Sequence, residues 1–368
     1  MGKHGPTLAD VARVAGVSRS TASNAYNRPD QLSAPVRERV LAAAVSLGYP
    51  GPDPLARQLR TRRSGTVGVL VLERPGYAFS DPAAQLFLDG LAEGLGDAAT
   101  GLLLLWGGAE AGGPPPSAVR AAGVDGFVSY CLPGDTAALD AVQERGLPLV
   151  TIDGPVGRGE ACVRVANRAG QAAAVRHLLD LGHRRFGVVS MPLRADGFVG
   201  LASAGQLLDV TDPSSRDRLA AVRNELGGAG IDPSEVPVAV ARSSHPADGR
   251  ELTRLLMDLS PRPTALVALS DRLALGCLDA ARSLGLRVPD DLSVTGFDAI
   301  PEASEAEPPL TTVAQDHALK GRLSGHLLRE MLDGHPARDL EVSTRLVIGR
   351  STAPPPGDTT GSTARATG

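Results

Sequence analysis

Residues 17–27, VSRSTASNAYN, crowd short hydrogen-bonding side chains into one stretch. Wound as a helix capped by Ser18, they turn Ala22, Ala25 and Tyr26 inward. Arg19, Ser20, Thr21, Ser23, Asn24 and Asn27 then face outward. Base edges in the DNA major groove present paired donors and acceptors, which Arg and Asn can meet two bonds at a time. Ser and Thr hydroxyls can hold phosphates and fix the docking register. The chemistry open to this stretch is reading of bases and backbone rather than bond making.

A second set of polar residues ends apolar runs. Asp153 ends PLVTID, Tyr130 ends VDGFVSY, and Glu73 follows TVGVLVL. Ser270 and Asp271 close TALVALSD, and Asp298 closes LSVTGFD. Arg218 opens a helical pattern. Carboxylates and an Arg that converge suit a hydroxyl-rich small molecule, because carboxylates accept several bonds and the guanidinium offers a planar fork. Taken singly, each carboxylate reads more readily as a helix cap or a surface charge. Catalytic signatures are missing: GxxxxGK[ST], GxSxG, HExxH and a strand-borne GxGxxG are all absent. The seven histidines show no metal-ligand spacing. His183, in LGHRRF, reads as a residue that caps or packs at a helix end. No enzyme, metal site or cofactor is expected.

Elements must position these groups. In TLADVARVAGVS, Thr7 can cap a helix with Asp10 completing a capping box. Leu8, Val11, Ala12 and Ala15 share one face, and Gly16 stops the helix. Helix, short glycine turn and polar second helix make a helix-turn-helix pattern. Ser33 can cap a third helix, with Pro35 in its first turn and Gly48 at its end. From Thr66 the rhythm changes to alternating strands and helices, which means parallel sheets covered on both faces. Two such runs predict two doubly wound subdomains, whose ligands sit outside the strands' carboxyl ends.

At 368 residues the chain is long enough for two or three domains. Charge is divided unevenly. Residues 1–65 hold ten Lys and Arg against four acids, whereas the whole chain is at −4. A basic head on an acidic body is the footprint of DNA binding at one end. No stretch approaches the ~20 apolar residues of a membrane span. The start, MGKHGPT, lacks a leader's apolar run. Cys131, Cys162 and Cys277 have no CxxC spacing and read as free thiols. A cytoplasmic protein is expected.

The stretch TLADVARVAGVSRSTASNAYNRPDQLSAPVRERVLAAAVSLGY resembles the headpiece of the LacI/GalR (lactose-repressor) family of bacterial transcription regulators. The likeness continues, more diluted, to about Arg350. The resemblance implies an all-α helix-turn-helix headpiece (1–51), with Thr7 and the polar face of residues 18–27 on DNA. It implies a hinge (52–65) in which Leu59 wedges the minor groove. Ala56 matches the hinge motif, and Arg57, Arg60, Arg62 and Arg63 can hold the backbone. Tyr49 to Leu59 is one residue longer than the common family spacing.

Beyond the hinge it implies a periplasmic-binding-protein-like α/β body (66–350). Its subdomains would be roughly 66–165 with 315–335, and 166–310 with 340–350. LVALSDRLALG, LSVTGFD and PLTTVAQD are similar to the family's effector motifs. On these, Ser270, Asp298 and Gln315 match effector contacts, as do Arg218, Tyr130 and Asp153. The chain departs from the pattern at Ala299 and Ala166, where acids are common, and at His317, where an apolar ring is common. Residues 351–368 read as a disordered tail without the leucine heptad that makes tetramers. The implied protein is a dimeric, ligand-responsive repressor of a near-palindromic double-stranded operator. Its effector would be sugar-like or nucleoside-like. The alternative is a solute-binding protein or enzyme that shares only the body's fold, and the basic headpiece argues against it.

Overall fold

The computed structural model describes residues 5–51, 63–72, 76, 79–99, 101–107, 113–130, 132, 136–154, 160–194 and 196–356. The chain divides into two compact units, Met1–Ser64 and Gly65–Gly368.

Among the described residues of the first unit, three α-helices enclose one small core: α1 (Leu8–Ala15), α2 (Arg19–Asn27) and α3 (Ala34–Leu47). Local chemistry sets each end. The Asp10 N–H donates to Thr7 Oγ1 at 3.4 Å, and the Thr7 N–H donates to Asp10 Oδ2 at 3.0 Å, which completes the capping box. Gly16 ends α1 in the left-handed region (φ 64°). The Thr21 N–H then donates to the Ser18 hydroxyl at 3.0 Å, capping α2. Ser33 stands at the start of α3 but makes no side-chain capping bond. The core is small-residue packing of Val11, Ala12, Ala15, Ala22, Ala25, Val40, Ala43 and Ala44. Complete burial of Val11 and Val40 contributes roughly 1.5–3 kcal/mol each.

The second unit holds two sheets and a two-stranded ribbon. The first sheet contains β1 (Thr66–Val71), β2 (Gly101–Trp106), β3 (Gly126–Tyr130), β4 (Leu149–Ile152), β5 (Glu160–Val165) and β12 (Leu340–Val342). Its order is β12-β5-β4-β3-β1-β2, with every pairing parallel. The second sheet holds β6 (Phe186–Ser190), β7 (Gly200–Leu201), β8 (Val238–Val240), β9 (Ala265–Ala268) and β10 (Ser293–Thr295), in the order β10-β9-β6-β8-β7. Continuous apolar strands such as LVTI and ALVA are buried along their whole length. That is what helices on both faces of a parallel sheet require.

Two helix pairs approach closely through glycine. In the first subdomain the Pro82–Leu95 and His317–Leu332 helices cross where Gly90 faces the Ala318 carbonyl and Gly321 faces the Phe87 carbonyl. A Cβ at either glycine would collide with backbone. The crossing carries residues 315–332 from the ribbon into the first subdomain.

Two boundary expectations need correction. Leu340–Val342 does not join the second subdomain. It pairs with β5 in the first, Leu340 opposite Val163 and Val342 opposite Val165. Val342, 2% exposed, completes that core and covers an edge that would otherwise leave backbone groups unpaired. β13 (Thr344–Val347) forms the ribbon with β11 (Thr312–Gln315). Residues 351–353 are not tail either. Ser351 is fully buried, and its hydroxyl donates to the Val294 carbonyl at 2.6 Å. The Ala353 N–H donates to Ser293 Oγ at 3.1 Å. Residues 357–368 lie outside the described set. Among the described residues, no helix is long and apolar enough to cross a membrane.

Candidate nucleic-acid interface and ligand cleft

On α2 the expected outward residues divide by what they already do. Ser18, Ser20 and Thr21 share hydroxyl bonds at 2.8 Å. Asn27 donates to the Ser23 carbonyl at 2.9 Å and to its hydroxyl at 3.1 Å. These pairs stiffen the helix surface. Arg19 is exposed and Asn24 half-exposed. Among the described residues, neither side chain has an intramolecular hydrogen bond, so both can meet base edges. Thr7 is committed to the cap: its hydroxyl donates to Asp10 Oδ2 at 2.8 Å. Bonds from Arg13 first, then Thr7, hold the Asp10 carboxyl down at about 2. The hinge candidates Ala56, Arg57, Leu59 and Arg60 lie outside the described residues.

The body gathers polar residues far apart in sequence. Asp298 follows β10 on left-handed backbone (φ 119°), as does Asp153 after β4 (φ 53°). Such backbone in non-glycine residues is strained and collects at binding sites. Gln315 Nε2 donates to Asp298 Oδ1 at 2.7 Å, and Arg218 Nη2 stands 3.5 Å from the same oxygen. Arg218 is 4% exposed. Its Nε donates to Asn167 Oδ1 at 2.9 Å, and its Nη1 to the Leu269 carbonyl at 2.5 Å. The guanidinium lies 3.6 Å above the Phe297 ring. Asp153 accepts from the Val165 N–H at 2.6 Å, Asn167 Nδ2 at 3.0 Å and Ser214 Oγ at 3.4 Å. Tyr130 stacks on Phe87 at 4.4 Å and faces Lys320 Nζ at 5.5 Å. Lys320 donates to Gln315 Oε1 at 3.1 Å.

One system of hydrogen bonds and an ion pair, the latter between Asp298 and Arg218, therefore runs Lys320–Gln315–Asp298–Arg218–Asn167–Asp153, from the first subdomain through the ribbon into the second and back. Burial raises the Asp298 carboxyl, against the pull of Arg218. Asp271 is fully buried, and burial first, then Asp298, pushes its carboxyl up to about 7. It accepts from the Thr312 hydroxyl and, at 3.0 Å, from the Ile300 N–H. It thus ties the Asp298 loop and the ribbon to its helix.

The fold has known counterparts. Residues 7–51 match the family described as bacterial regulatory proteins, lacI family, and residues 175–352 match the periplasmic binding protein-like domain. An HTH-type transcriptional regulator of Mycolicibacterium smegmatis is 42% identical over 357 residues, 95% of this chain and 97% of that protein. The chain belongs to the lacI family of bacterial regulatory proteins. Its relatives are named as transcriptional regulators, and it is not an enzyme. The Lac repressor dimer bound to operator and the anti-inducer ONPF superposes with TM-score 0.76 at 27% identity, over 95% of this chain and 100% of that one. A CelR–cellobiose complex superposes with TM-score 0.67 at 29% identity, over 94% and 99%. The chain is thus a lacI-family transcriptional regulator with a ligand-binding body.

Of the six body residues singled out from sequence, four stand on the network, Asp153, Arg218, Asp298 and Gln315, and the Tyr130 ring lies beside its Lys320 end. Ser270 is 3% exposed and caps the Asp271–Ser283 helix, accepting from the Leu273 N–H at 3.3 Å. Arg218 does not open its helix. The helix is Pro213–Gly228, capped by Asp212, so Arg218 lies in its second turn.

Sequence reasoning missed Lys320, Asn167, Asp81 and Arg272. Arg272 Nη1 donates to the Ser80 carbonyl at 2.7 Å and stands 3.9 Å from Asp81, bridging the subdomains. Nothing local marks Lys320, which reads as an ordinary helical lysine. Asp81 before Pro82 is readable only as a cap. His183, expected to cap or pack at a helix end, does so: its N–H donates to the Leu178 carbonyl at 3.1 Å just past the Asn167–Asp180 helix, and its buried ring also crosslinks, with Nδ1 2.9 Å from Thr264 Oγ1 and Nε2 3.0 Å from Ser293 Oγ.

Proposed function

We propose that this regulator is a repressor that binds a near-palindromic operator as a dimer and is switched by a small polar molecule in the body cleft. Arg19, Ser20 and Asn24 would contact bases. Ser18, Thr21, Ser23, Asn27 and Thr7 would position the helix on the backbone. The hinge residues Ala56, Arg57, Leu59 and Arg60 would hold and bend the operator centre. Tyr130, Asp153, Arg218, Asp298 and Gln315 would surround the effector, with Ser270 shaping the cleft floor. The observation that carries the reading is the continuous network from Lys320 to Asp153. A ligand inserted into it touches both subdomains, and so has differential contacts in any two arrangements of them.

The dimer reading rests on β2, the terminal strand of the first sheet. It leaves Leu102 and Trp106 36% and 48% exposed beside a strand edge that no other strand pairs among the described residues. The similar Lac repressor structure is a dimer bound to operator, which supports the same assembly here. The CelR complex holds cellobiose, which supports a sugar-like ligand here.

By linkage, the factor by which ligand changes operator affinity equals the factor by which operator changes ligand affinity. Operator titrations with and without sugar, and calorimetry with and without operator, test this. Equal factors of roughly 5–150 are expected. A ligand that binds the body and leaves operator affinity unchanged overturns the reading.

A further inference from the structure

His317 opens the helix that crosses into the first subdomain and sits beside Asp298, Arg218 and Lys320. It is 5% exposed, and neither ring nitrogen has a hydrogen-bond partner among the described residues. Around it, Lys320, Gln315, Asp298, Arg218, Asn167 and Asp153 are joined to one another by hydrogen bonds and one ion pair. The Asp298 backbone approaches the ring without a well-formed bond and can meet one nitrogen at most, so at least one buried ring nitrogen is left unpaired, which costs stability unless something else meets it. Burial, together with the positive charges of Lys320 and Arg218, drives the imidazole down to about 2. The ring is therefore neutral at working pH, with one N–H donor and one nitrogen acceptor.

Arg218 stands against Asp298 and Arg272 against Asp81, while burial raises the carboxyls of Asp81, Asp212, Asp271 and Asp298 toward their neutral forms. An ionic ligand would add a further charge to a buried site that already holds both signs, at a desolvation cost. A hydroxyl, being donor and acceptor at once, meets either ring nitrogen. Both aromatic rings touching the network have a face in use: Arg218 lies over Phe297, and Tyr130 stacks on Phe87 with Lys320 nearby.

We propose that His317 is a specificity-determining residue of this cleft, pairing its neutral ring with hydroxyls of a neutral polyhydroxylated ligand and rejecting ligands that place an apolar or aromatic face there. The inference rests on the cleft being the effector site, and the test separates the two. Full-length wild type, His317→Phe, His317→Gln and Asp298→Asn are melted alone and with ribose, glucose, cellobiose, sorbitol or adenosine.

Without ligand, His317→Phe should melt no lower than wild type, because it keeps a ring and removes two buried nitrogens, at least one of them unpaired. At least one of the neutral polyhydroxylated probes should raise wild-type melting, and adenosine should not. For that probe, calorimetry should show about a tenfold or greater loss in His317→Phe, and His317→Gln within about threefold of wild type. A lower melting point for His317→Phe alone makes the histidine structural and overturns the proposal. Equal binding of the same probe by His317→Phe, or a shift with adenosine, overturns the specificity while leaving the cleft in place. Absence of any shift in wild type overturns the proposal. A probe that shifts wild type and Asp298→Asn alike removes the cleft itself.

Discussion

The polar face of α2 and the polar cleft of the body are built by opposite means. On α2 the interacting pairs lie two to four residues apart, and the groups that would meet DNA stand in solvent. In the cleft, partners such as Arg218 and Asn167 are 51 residues apart, and every member is buried or nearly so. The first surface is assembled by helix geometry alone and can be changed piecemeal. The second exists only when both subdomains and the ribbon are in place, and its members depend on one another. Specificity for DNA should therefore be modular and specificity for the effector cooperative.

The largest departure should come from the hub. Arg218→Met strands Asp298 without its cation in a buried setting and should cost about 3–5 kcal/mol of body stability in denaturant unfolding. The headpiece core, in a separate unit, should be indifferent. A loss under ~1 kcal/mol would mean the pair is solvated and the contrast overdrawn.

On the other surface, Arg19→Ala and Asn24→Ala should each weaken operator binding by roughly 1–3 kcal/mol and relax base preference. Body melting should stay put. Additive losses in the double variant would mark modular reading, and strong coupling would contradict it.

A smaller effect is expected at the cap. Thr7→Ala should cost about 1 kcal/mol of headpiece stability, since it removes an N-cap oxygen. Hydrogen exchange over residues 8–15 would report it.

Asp271 gives the cleft a pH signature that α2 lacks. Its folded pKa, about 7, lies above the ordinary carboxylate value of 3.8. Its contribution is therefore fully present below pH ~4 and is lost as pH rises through about 7. Asp271→Asn should flatten that part of the body's stability profile. The difference between the two proteins isolates it from the buried histidines, whose lowered pKa values act with the opposite sign.

The same contrast explains what the sequence made legible. Thr7, Asp10, Gly16 and Ser18 were readable because capping and helix termination are local. Strand–helix alternation gave the doubly wound body for the same reason. The placement of Leu340–Val342 beside β5 was not readable, because its apolar residues fit either sheet. Ser351 looked like the start of a polar tail, and its partners Val294 and Thr311 are in contact only after folding. Lys320 and Arg272 carried no local mark of burial. Arg218 and Asp298 were found through motif likeness, whereas the bonds that join them come from the fold.

The most direct test of the central claim, that the cleft network couples a ligand to DNA, is an operator titration of wild type and Asp298→Asn with and without the sugar that raises wild-type melting. Operator affinity of the two proteins should agree without sugar. With it, wild type should change by roughly 5–150-fold and Asp298→Asn should lose that response. A variant that responds as wild type does, or that loses operator affinity before any sugar is added, would contradict the account.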